Sequence, residues 1–112
     1  MSAEGTILLS NIETIPGTRI VVSYGLVSGN TVRAKHLGTD LLAGLKNMVG
    51  GELRAYTELL KDARLEAIDR MTNEARMLGA NAIVNVRFST TSITQGTAEL
   101  FVYGTAVRVE EC

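Results

Sequence analysis

The chain has 112 residues and a mass of 12.0 kDa, one domain's worth of sequence. At 46% hydrophobic and 21% charged residues it can bury a core, which excludes a disordered chain. Eleven Lys and Arg against twelve Asp and Glu leave a formal charge of −1; that removes the basic footprint of a nucleic-acid binder, and apolar runs as short as Ile7-Leu8-Leu9 exclude a bilayer-spanning helix.

Residues 6–10 form a short β-prone run, and Pro16-Gly17 signals a turn. Residues 18–28 are β-branched and aromatic and predict a strand bounded by Gly17 and Gly29. Gly25 inside it predicts a bulge or a close backbone approach. Residues 29–39 are polar and carry the basic cluster Arg33, Lys35 and His36. Thr39 or Asp40 is suited to cap a short helix over about 40–49, where Leu41, Leu42, Leu45, Met48 and Val49 have helical spacing. Gly50-Gly51 stops that helix or hinges it onto the next.

The spacing then predicts one long helix from Glu52 to Leu78, with Gly79 as its C′ residue. Tyr56, Leu60, Ala63, Ala67, Met71, Ala75 and Leu78 recur every three or four residues as one apolar stripe. Glu66–Arg70 and Arg70–Glu74 have the spacing of opposite-charge pairs on a helix surface. After Gly79-Ala80-Asn81, residues 82–94 predict a strand in which Val84, Val86 and Phe88 alternate with Asn85, Arg87 and Ser89. Gln95-Gly96 is the expected hairpin turn, and residues 97–109 the return strand. That strand is apolar on both faces: Leu100, Val102 and Ala106 on one, Phe101, Tyr103, Val107 and Val109 on the other. One face is expected on the long helix and the other on something else.

A helix of 27 residues is about 40 Å long. A compact domain of this size has a radius of gyration of about 13 Å, so a straight helix would protrude from it. Together with the two-faced strand, this predicts a symmetric homo-oligomer.

Gly25-Leu26-Val27-Ser28-Gly29, Met48-Val49-Gly50-Gly51, Ala55-Tyr56, Leu78-Gly79-Ala80-Asn81-Ala82-Ile83-Val84 and Gly104-Thr105-Ala106-Val107 occur in that order. In this order and spacing the chain resembles the YbjQ-like family of small bacterial proteins, which carries a heavy-metal-binding label. The resemblance covers about residues 7–109 and implies a single domain. It implies an α+β subunit, YbjQ-like or dodecin-like, with the helix laid across an antiparallel sheet, assembling into a pentameric ring or a stacked decamer. It brings no catalytic residue.

A heavy-metal or divalent-ion site needs converging donors. The candidates are His36, the sole histidine, and Cys112, the sole cysteine; the four methionines, Met1, Met48, Met71 and Met77, are the remaining soft groups. No two of these lie at metal-ligand spacing, so a ring axis multiplying one donor is the route left open. Met71 and Met77 are expected to pack, and Glu110-Glu111-Cys112 to form an untied tail. Arg33, Lys35 and His36 could receive an anion, aided by the helix start at residue 40. Gly50-Gly51 is no phosphate loop, and no nucleophile–base motif is present.

One cysteine and no apolar leader point to the cytoplasm. The expected function is a non-enzymatic, oligomeric binding or scaffold protein with itself as partner, holding a small ligand or metal ion in its ring and binding neither nucleic acid nor membrane. The alternative is an enzyme whose site is shared between subunits near Arg33, His36 and Tyr56.

Overall fold

The computed structural model describes residues 6–34, 51–94 and 97–112, of which 33–34, 51–56, 92–94 and 97–98 are described as backbone only. Its elements are β1 (Leu8–Leu9), β2 (Thr18–Ala34), α1 (Gly51–Leu78), β3 (Ala82–Thr94) and β4 (Thr97–Glu111). The four strands form one sheet in the order β1-β3-β4-β2, with α1 on one face. The short helix expected at 40–49, with Gly50 and the turn Gln95-Gly96, lies outside the described residues.

The turn before β2 follows its sequence. The Thr18 N–H donates to the Ile15 carbonyl at 3.1 Å, and Gly17 has φ 83°, which the third position of a Pro-Gly type II turn requires. Gly25 sits at a register shift with φ 96°, as its position predicted. A second shift separates Ile20 from Val22 and leaves Val21 without a partner on β4. β2 does not end at Gly29 but continues to Ala34. A Cβ on Gly29 would collide with the Ala67 carbonyl oxygen and stand 2.7 Å from the Met71 amide nitrogen. Gly29 is therefore the point where the helix backbone crosses the strand, not a strand terminator.

α1 matches its predicted span within a residue. Its end is a Schellman motif: the Ala80 N–H donates to the Ala75 carbonyl and the Gly79 N–H to the Arg76 carbonyl, both at 3.1 Å, with Gly79 at φ 95°. Ala63, Ala67, Met71 and Ala75 of the stripe are buried, the last three in one cluster with Val27, Leu100, Val102 and Ala106. Three of those four helix residues are alanine, so the helix lies close to the sheet. Leu78 and Met77, by contrast, are exposed, Met77 at 87%. The helix contacts β2 and β4 far more than β3, so it covers only half of the sheet.

The sheet is mixed, not wholly antiparallel as expected, because β1 runs parallel to β3 in the register Leu8 to Ala82. The Leu8 N–H donates to the Asn81 carbonyl and the Ser10 N–H to the Ile83 carbonyl, which locks the entering chain beside β3. The predicted alternation of Val84, Val86 and Phe88 is broken. A bulge at Asn85 and Val86 shifts the register, so Val84 packs with Ala82, Val107 and Val109 under Ile15, while Val86 packs in the main core on the helix side. Opposite the bulge stands Gly104, where a Cβ would meet the Ile83 Cγ2 at 2.7 Å. Asn85 carries the bulge at φ 55°, its N–H donating to the Ile12 carbonyl at 2.9 Å. Asn85→Val is expected to lose about 1–2 kcal/mol of stability through that left-handed backbone, and Asn85→Gly to stay near wild type; urea denaturation of the two variants tests it.

Candidate functional site

The described residues leave two apolar concavities, both made by what the helix does not cover. The first is a groove of about 800 Å³ between α1 and the β1–β3 edge. Leu9, Ile12, Ile68, Val86 and Phe88 line it, with Arg87 on its wall. Phe88 is 48% exposed because α1 passes over β2 and β4 and leaves β3 bare. Arg87 Nη1 donates to the Asn11 carbonyl at 2.6 Å and to the Val86 carbonyl at 3.0 Å, which ties the guanidinium to the loop after β1. The second concavity, about 220 Å³, lies on the sheet face away from the helix, between Leu26, Ser28, Phe101 and Tyr103. The Phe101 and Tyr103 rings stack with centroids 5.5 Å apart. Leu26 beside them is 78% exposed.

β4 thus has the two apolar faces its sequence predicted. Leu100, Val102 and Ala106 lie under the helix. On the other face Val107 and Val109 are covered by Ile15, while Phe101 and Tyr103 open into the smaller concavity.

The outer edge of β2 is partly closed by the helix. The Ser28 N–H donates to Glu74 Oε1 at 3.1 Å, and Arg70 Nη1 donates to the Asn30 carbonyl at 2.6 Å. Arg70 also meets Glu66 at 3.3 Å, as the spacing predicted, but the expected Arg70–Glu74 pair does not form, because Glu74 turns to the strand. These two side chains take up an amide and a carbonyl of an edge strand, groups that would otherwise invite another strand.

The candidates named from sequence do not form one cluster among the described residues. Arg33 lies in β2 in register with Ala98, while Lys35 and His36 are outside the described residues. Tyr56 lies in α1, described as backbone. Cys112 stands at the opposite end of β2 from Arg33: its N–H donates to the Gly17 carbonyl at 3.0 Å. The expected loose tail is therefore strand, since Glu110 and Glu111 pair in register with Arg19 and Thr18. The Cys112 thiol is exposed, and Glu110 meets Arg19 at 3.4 Å. No group of three His, Cys, Asp or Glu among the described residues could hold a metal ion. A single exposed thiol beside a carboxylate already paired with arginine does not fit a soft metal, which needs several converging donors. Of the methionines, Met71 packs in the core as expected and Met77 stands in solvent. The exposed run Ile20-Val21-Val22 and the Phe88 groove were not singled out from sequence. Three β-branched residues in succession, with no polar alternate, were the available signal.

Residues 7–110 match the model of a family described as "Putative heavy-metal-binding". A UPF0145 protein of Hahella chejuensis is 66% identical over 103 residues, covering 92% of this chain and 99% of that protein. A UPF0145 protein of Archaeoglobus fulgidus is 57% identical over 106 residues, covering 95% and 98%. The relatives thus include archaeal proteins, and the similarity reaches beyond the bacterial proteins first resembled. A crystal structure of a protein of unknown function from the DUF74 family of Pediococcus pentosaceus aligns with a TM-score of 0.64 at 12% identity, covering 93% of this chain and 98% of that one. At that identity the likeness is one of fold. No helix of the described residues is long and apolar enough to cross a membrane.

Proposed function

Since the chain belongs to the YbjQ family, whose description reads "Putative heavy-metal-binding", we propose that it acts as a self-assembling, non-enzymatic binding or scaffold protein, a cyclic homo-oligomer of the cytoplasm. The supporting observation is exposed apolar surface among the described residues: Leu26, Val32, Leu65 and Phe88 are all about half exposed or more. A subunit that assembles covers such surface; a monomer carries it as an aggregation hazard.

Five copies is the number implied by the family resemblance. A metal ion held by the ring is proposed to be held by copies of one residue repeated around its axis. Native mass spectrometry of protein purified without chelator tests the reading. Five or ten times 12.0 kDa is the expected mass, and an excess over that mass identifies the bound species. A bare ring keeps the scaffold and removes the metal. A 12.0 kDa species overturns the assembly.

A further inference from the structure

β2 is an outer strand of the sheet and runs for 17 residues, Thr18–Ala34. A long outer strand offers its unpaired amides and carbonyls to any other strand that meets it. The two parts of β2 differ in how far they do so. The first is bent by register shifts at Ile20/Val22 and Ser23/Gly25, and a bulged edge is a poor template for a straight strand. Over residues 25–34 the register with β4 is unbroken. That regular stretch is the part suited to strand addition.

The helix acts on this same stretch. Ser28 and Asn30 are two positions apart, so their main-chain groups point to the same side of the strand. Glu74 Oε1 accepts from the Ser28 N–H at 3.1 Å, and Arg70 Nη1 donates to the Asn30 carbonyl at 2.6 Å. A carboxylate thus stands where a neighbouring strand would bring a carbonyl, and a guanidinium where it would bring an amide. Gly29 sets the reach: α1 crosses β2 there, with the Ala67 carbonyl oxygen and the Met71 amide nitrogen in the space a Cβ would need. Arg70 and Glu74 follow Ala67 and Met71 by three positions, hence lie beside the crossing on the helix surface.

We propose that Arg70 and Glu74 form a clasp, an autoinhibitory contact that shuts the edge of residues 26–32 against strand addition by a second copy of this chain. A second copy is the strand excluded, because two copies of one regular edge can pair antiparallel about a two-fold axis. Both clasp bonds involve a charged group, so an incoming strand would exchange them for weaker, neutral ones. Without the two side chains, the incoming strand gains main-chain bonds and displaces nothing. The clasp does not rest on the ring, since its bonds are made within one chain.

The test compares Arg70→Ala/Glu74→Ala with the wild type by sedimentation and thioflavin T fluorescence under native conditions. The double variant is expected to give several-fold more sedimenting, thioflavin-positive material. Arg70→Lys/Glu74→Gln keeps a donor and an acceptor and is expected to stay near the wild type. Val32 is 52% exposed on the same edge, and Val32→Lys placed in the clasp-less variant is expected to return the signal to the wild-type level. No rise in the double variant would overturn the clasp. So would a rise that Val32→Lys leaves unchanged, because the strands would then join elsewhere. Asn85→Val, less stable but with its clasp intact, is expected to give no rise; an equal rise there would trace the effect to lost stability and overturn the clasp. Hydrogen exchange by NMR guards against a double variant that folds poorly. In Glu74→Ala alone the Ser28 amide is expected to exchange about tenfold faster, with the Val27 amide, which faces β4, unchanged. An unchanged Ser28 rate would overturn the clasp. A 12.0 kDa species by native mass spectrometry would overturn the ring and leave each of these outcomes to be read as stated.

Discussion

A Gly29→Val variant is expected to lose the seating of α1 on the sheet. The first added carbon would overlap the Ala67 carbonyl oxygen and lie 2.7 Å from the Met71 amide nitrogen. Both obstacles are backbone, so no rotamer change relieves them. The helix must lift from β2 or β2 must bend away. Either movement also breaks the hydrogen bond from Thr31 Oγ1 to the Ala63 carbonyl, which is buried at 3.1 Å. Overpacking of this kind costs about 3 kcal/mol at the upper end of its usual range, a large share of the 5–15 kcal/mol that holds a typical domain folded. Urea denaturation followed by far-UV circular dichroism should show a clearly lower midpoint even for Gly29→Ala. An unchanged midpoint would mean that α1 does not cross β2 there.

Met71→Ala should be the most damaging truncation of the helix. Met71 is fully buried, and its neighbours one turn away along the buried face, Ala67 and Ala75, are too small to fill the space it leaves. A loss of about 2–5 kcal/mol follows from the transfer and cavity contributions together. Met71→Leu keeps nearly the same volume and should lose less than about 1.5 kcal/mol. The contrast between the two, read from urea midpoints at equal slope, separates packing from any chemical use of the sulfur. Equal loss in both variants would argue against a simple cavity.

Helical features were the most legible, because their signals are local. The stripe of Ala63, Ala67, Met71 and Ala75 and the glycine at its end depend on residues three to five apart. What the sequence did not disclose depends on partners far along the chain. Gly29 reads locally as a strand boundary; only the helix 38 positions later, at Ala67, explains it as a crossing point inside β2. Glu74 matches Arg70 by spacing, yet it bonds the Ser28 amide, because an edge strand offers an unpaired donor. Val84 and Val86 alternate in the sequence and still face opposite layers, since the bulge between them is set against Gly104. The site was less legible than the fold. Chemistry-bearing residue types drew attention to Cys112, which proves to be the end of a paired strand. The exposed apolar surfaces consist of ordinary valine, isoleucine, leucine and phenylalanine, distinguished only by what fails to cover them.

The position of β4 also bears on how the protein is made. It lies at the centre of the sheet, between β3 and β2, yet it follows both of them in the chain. A ribosome therefore delivers the outer strands first and the strand that joins them last. Thr18 of β2 waits for Glu111, its partner in register at the far end of β4. At about 5–20 residues per second, the interval between their synthesis is roughly 5–20 seconds. During that time the Ile20-Val21-Val22 run has no neighbour on either edge. Pairing over such sequence separation makes the sheet slow to form.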